Sequence, residues 1–105
     1  MDFPTSFKCA GQTIKVIVEE FLPNNDYGYW DDATNEIHIA KNLKTSVSEL
    51  DTRTVKLTEM QLQNTYYHEL MHCFQFYYDN SASEAMAQSF ANMICEFQNT
   101  KQFDE

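Results

Sequence analysis

Glycine and proline are scarce in this 105-residue chain, two of each, which argues against a fold of many short strands joined by tight turns. Basic side chains are few as well: seven Lys and Arg face sixteen Asp and Glu, a formal net charge of −9. A surface of that sign repels phosphate backbones and anionic lipid, so neither nucleic acid nor membrane is expected as a main partner. Nowhere do eighteen apolar residues stand together, and Met1 to Gly11 holds no apolar stretch of signal-peptide length. A cytoplasmic location is expected. Cysteine is limited to Cys9, Cys73 and Cys95, an odd number without Cys-x-x-Cys spacing. That pattern suits neither a disulfide framework nor a cysteine zinc knuckle, and at least two of the three read as small buried hydrophobes.

Aromatic residues make up 14% of the chain, enough large side chains to build one small core but not two. Residues 1–105 are therefore read as a single domain of α+β class, with the β part first. Gln12 to Glu19 alternates Ile14, Val16 and Val18 with mostly polar neighbours, the pattern of a half-buried strand. Leu22 to Asp26 breaks it. Tyr27 to Asp31 and Glu36 to Ala40 follow as two β-rich runs joined by the polar Asp32-Ala33-Thr34-Asn35, a hairpin. Asn42 to Lys56 shows no clear apolar period, although Ser46 and Glu49 have capping-box spacing, and reads as a loop with at most one helical turn.

Two long helices complete the expectation of a small three-stranded sheet packed on two helices. Thr58 and Gln61 form a capping box, and Glu59 to Tyr78 contains no Gly or Pro. Asp79-Asn80-Ser81 stops that helix. Ala82 to Gln98 forms the second, with Ala87, Phe90, Ala91, Ile94 and Phe97 on one broad apolar arc. The short connection makes the helices antiparallel neighbours.

The first helix carries His68-Glu69-Leu70-Met71-His72. Histidines four apart lie one above the other, so two imidazole nitrogens can reach one zinc ion at about 2.0–2.1 Å. Glu69 stands about 100° round the helix, beside the metal without ligating it, where a general base can take a proton from a metal-activated water. A catalytic zinc needs a third protein ligand. Asp79 lies roughly 10 Å further along the axis and Cys73 projects about 100° away from His72, which leaves Glu84 as the best choice. Folded back across the turn, its carboxylate approaches the histidine pair, and Ala87 and Ala91 let the helices lie close. The competing role for Glu84 is local, because Ser81 and Glu84 also have capping-box spacing.

Two histidines and a downstream glutamate resemble the gluzincin metallopeptidases, and Glu84-Ala85-Met86-Ala87-Gln88-Ser89-Phe90-Ala91 is similar to the Glu-x-x-Ala-x-x-Phe-Ala stretch of their ImmA/IrrE-type branch. The extended metzincin pattern is absent, since Gln75 and Tyr78 stand where it has Gly and His. Tyr27-Gly28-Tyr29-Trp30 and Glu36-Ile37-His38-Ile39 resemble the short hairpin that flanks the substrate cleft in that branch. The resemblance implies a minimal zincin-like fold and one Zn2+ per chain on His68, His72 and Glu84. It also implies hydrolysis of a peptide or protein substrate with Glu69 as base. The alternative is a non-catalytic zinc-containing binding or structural protein of the same ancestry. An oxyanion donor is not identified: Tyr29 and His38 are considered, but Ile37 and Ile39 facing the core turn His38 outward as a solvated strand residue. Among Tyr66, Tyr67, Phe74, Phe76, Tyr77 and Tyr78, most are expected in the core and one or two in the cleft.

Overall fold

A computed structural model describes residues 3–48 and 51–103, without the side chains of residues 46–48 and 51. Its class is α+β, with six strands rather than three. β1 (Ser6–Cys9), β2 (Gln12–Glu19), β3 (Gly28–Asp31) and β4 (Glu36–Ala40) form a mixed sheet in the order β1-β2-β4-β3. β2 runs parallel to β4, and the other two pairings are antiparallel. β5 (Asn42–Ser48) and β6 (Asp51–Lys56) make a separate two-stranded sheet. α1 (Glu59–Phe74) and α2 (Glu84–Thr100) follow. No described helix is long and apolar enough to cross a membrane.

β1 is absent from the sequence reading because four residues carry too little alternation to register. What creates it is the turn: Ala10 and Gly11 both take positive φ (50° and 77°), the two-residue hairpin geometry that matches strand twist. The stretch from Asn42 to Lys56 is likewise a hairpin, not a loop with a helical turn. Of its described side chains only Asn42 and Leu43 are partly covered, so they leave no alternating pattern to detect. The supposed capping partner Glu49 lies outside the described residues.

The core sits between the four-stranded sheet and α1. Ile14, Ile37 and Ile39 are fully buried, with Val16, Tyr66 and Cys73 packed beside them. Cys73 and Cys95 are the two buried cysteines. Burial, helped by a hydrogen bond with Cys9, pushes the Cys73 thiol up to about 12, which keeps it an inert core group.

His38 does lie on the opposite face from Ile37 and Ile39, but it is 9% exposed rather than solvated. The Tyr29 ring stacks on it at 4.6 Å between centroids, and Glu19 and Glu36 each take one ring nitrogen at 3.0 Å.

α1 opens with the expected capping box: Thr58 accepts from the Gln61 backbone N–H, and the Gln61 side chain accepts from the Thr58 N–H. The continuous helix to Tyr78 is corrected: after Phe74 it widens into a π turn over Gln75–Asp79, closed by Asn80 in the left-handed region at φ 48°. In the second helix, Ala87, Ala91 and Cys95 are the buried positions, while Phe97 at the end of the expected apolar arc is exposed. Small side chains therefore define the helix contact.

Gly28, the first residue of β3, touches both partners of the cleft that follows. A Cβ there would stand 2.6 Å from Thr65 Cγ2 and 2.8 Å from the His38 carbonyl oxygen. Gly28→Ala is expected to destabilise the fold by about 1–3 kcal/mol, as overpacking does. Urea titration would detect it as a lower midpoint at constant slope, and an unchanged midpoint would mean that β3 is not pinned against α1.

Candidate metal centre

α1 and α2 are antiparallel, as the paired contacts of Gln63 with Asn99, Asn64 with Asn92, and His68 with Glu84 require. Glu84 is the first residue of α2 and does not cap it. Ser83 does, its hydroxyl accepting from the Met86 N–H at 3.1 Å. The Ser81–Glu84 capping box is thus replaced by a cap two residues later, and the Glu84 carboxylate swings to the histidines.

Glu84 Oε2 lies 2.9 Å from His68 Nε2, and Oε1 lies 3.0 Å from His72 Nε2. The two Nε2 atoms are 3.2 Å apart. A tetrahedral ion with bonds of about 2.0–2.1 Å sets its donors roughly 3.3–3.4 Å from one another, so the spacing is close to what zinc would impose.

Protonation makes the case stronger. Gln75 Nε2 donates to the Ser83 carbonyl, which turns Gln75 Oε1 to His72 Nδ1 at 2.8 Å. Gln88 Nε2 donates to Asn64 Oδ1 and Asn92 Oδ1, which turns Gln88 Oε1 to His68 Nδ1 at 2.9 Å. Each Nδ1 must therefore carry the hydrogen and donate it. In the neutral rings both Nε2 atoms then present bare lone pairs to each other and to a carboxylate. A cation among them turns that repulsion into ligation, and two nitrogens with one carboxylate oxygen suit zinc.

Sequence reasoning missed Gln75 and Gln88. Their only trace is helical spacing, three residues after His72 and four after Glu84. Gln75 is also fully buried, which a glutamine accepts only with its amide partnered.

Glu69, on the next row of α1, is 7% exposed and has no hydrogen-bond partner among the described residues. Burial raises its carboxyl above the ordinary range, the two histidines pull it back, and Glu84 and Asp26 add to the rise. Glu84 behaves oppositely. Burial is the largest single influence and raises it, but hydrogen bonds and charge from His68 and His72 together outweigh that and hold it low.

These groups face a cleft of about 860 Å³ between the helices and β3. Phe76 and Trp30 line it, whereas Tyr66 belongs to the core. Tyr29 and His38 are not aimed at the histidine pair, because their stacked rings occupy the sheet face turned away from α1.

The tautomer argument has a direct check. Gln88→Ala should lower zinc affinity about 10–100-fold in competition with a chromophoric chelator, while Gln88→Glu, which keeps the acceptor, should retain most of it. Equal affinity in Gln88→Ala would detach Gln88 from the centre. No family model, curated protein or solved structure matches this chain, so its chemistry has to be read from the donor set and the cleft.

Proposed function

We propose that the protein is a zinc-dependent peptidase of the gluzincin type, with a zincin-like arrangement of one metal helix, one ligand helix and one edge strand. The observation that carries this reading is the convergence of His68 Nε2, His72 Nε2 and a Glu84 carboxylate oxygen, all within 4.8 Å, on an open cleft. Glu84 has a side chain 77% exposed, so the donor set is not sealed as it would be around a purely structural ion.

Bound there, zinc supplies a Lewis acid that polarises a scissile carbonyl and lowers the pKa of water to about 7. His68, His72 and Glu84 are the residues that hold it. Glu69 accepts the proton of the attacking water at its carboxylate and returns it to the leaving amine. Its elevated pKa makes it a better base than an exposed glutamate, and no described residue hydrogen-bonds its carboxylate, which leaves the oxygens free for that proton.

β3 supports the substrate half of the reading. It is an edge of the mixed sheet, paired with β4 on one side, and Gly28, Tyr29 and Trp30 border the cleft on the other. An extended peptide can add to that edge through backbone hydrogen bonds. No described residue of the β5–β6 hairpin lines the cleft.

The test is metal analysis joined to hydrolysis of a broad peptide library. Protein purified without chelators should hold about one zinc per chain, and Glu84→Gln should weaken its binding markedly. Glu69→Gln should keep the zinc and lose at least roughly 10²-fold in hydrolysis. Zinc-replete wild-type protein that cleaves no peptide would overturn the peptidase reading in favour of a non-catalytic zinc protein.

A further inference from the structure

We infer that the cleft selects peptides with a lysine or arginine side chain beside the bond that is cut, and that Asp26 and Asp32 read it. The inference rests on the peptidase reading and names its substrate class. Among the described residues, four carboxylates border the cleft, those of Asp26, Asp32, Glu69 and Glu84, and no Lys or Arg does. A divalent ion at the histidines balances two of those charges, Glu69 and Glu84. Asp26 and Asp32 remain.

Their surroundings set these two acids apart. The Asp26 backbone N–H donates to the Pro23 carbonyl, but neither carboxylate has a hydrogen bond or ion pair to any described residue. Neighbouring acids are engaged: Glu19 and Glu36 on His38, Asp31 on the Ala33 N–H, and Glu20 on Asn42 and Lys41. Asp26 and Asp32 also bracket β3, one two residues before Gly28 and the other directly after Asp31. A strand laid along that edge passes between them, and its side chains on the cleft side come within reach of one or the other. Aromatic faces complete the subsite. Tyr27 is 50% exposed and Phe76 is 45% exposed at the cleft, positioned to take the aliphatic stem of a lysine or stack on a guanidinium. An acidic peptide meets only like charge there, which discriminates against it.

The experiment separates this inference from its parent. Zinc-loaded Glu69→Gln protein is titrated with a fluorescein-labelled alanine–serine decapeptide bearing one central lysine, and with counterparts bearing norleucine or glutamate. The lysine peptide should bind about tenfold more tightly than the norleucine peptide, with the advantage shrinking as salt rises. Adding Asp26→Asn and Asp32→Asn should bring the ratio close to one, and Asp32→Lys should shift preference toward the glutamate peptide. Circular dichroism confirms that each variant is folded. Equal binding of the lysine and norleucine peptides, or a lysine advantage that survives both Asn substitutions, overturns the inference while leaving peptide hydrolysis intact. A charge preference in binding with no cleavage by the wild type keeps the inference as a statement about recognition and overturns the peptidase reading alone.

Discussion

Two imidazole nitrogens and a carboxylate meet within 2.9–3.2 Å of one another, and their mutual repulsion in the neutral-histidine state is the constraint on which the helical half of the molecule turns. Such a grouping is stable only with positive charge among its members. Two extra protons, one on each ring, would also supply it. Gln75 and Gln88 each fix an Nδ1–H, so whatever supplies the positive charge has to act at the two Nε2 atoms. The proposed metal would stabilise the pairing of α1 with α2 by the same bonds that build the site, because its donors come from both helices.

Bringing α2 that close depends on small side chains and on the connection. Ala87 and Ala91, both fully buried, let the helix backbones approach. The π turn supplies the other requirement. By widening the last turn of α1 it places Gln75 inward, between His72 and the Ser83 carbonyl, so one side chain ties α1 to the residue that caps α2. Asn80 in the left-handed region then reverses the chain. Elsewhere in the turn, Tyr77 hydrogen-bonds Asn35 at the end of the β3–β4 loop, which links the same connection to the sheet.

The parts of this arrangement that a sequence displays are the parts with strong local periodicity. Histidines four apart on a helix without breakers, a Thr58–Gln61 capping box and the alternation of Ile14, Val16 and Val18 each follow from one element's own geometry. The hairpin from Gly28 to Ala40 is equally local, being set by its four-residue polar loop. β1 and the β5–β6 pair were invisible for opposite reasons. β1 is too short for a period, while the described side chains of β5 and β6 are mostly exposed and so have no pattern to show. Ser83 rather than Ser81 caps α2 because that helix starts at Glu84, and both serines are equally good caps by residue type alone. His38 went wrong at the level of neighbours: alternation placed it on the outer face, but its burial comes from Tyr29 on another strand and from carboxylates on β2 and β4.

Glu69 and Glu84 show why residue type alone does not assign a role at such a site. They sit on neighbouring helices around one cleft, yet one carboxyl is raised and the other lowered. The buried one, beneath Gly28 and without a hydrogen-bond partner, holds its proton more tightly than usual, as a group that must accept and return a proton needs to do. The exposed one is kept ionised by two imidazoles, as a ligand must be. Environments that push two carboxyls apart are what divides acid–base work from coordination. The division that the proposed reaction needs would be made here by a glycine that lets β3 press on Glu69 and by a serine cap that frees Glu84 from the end of its own helix.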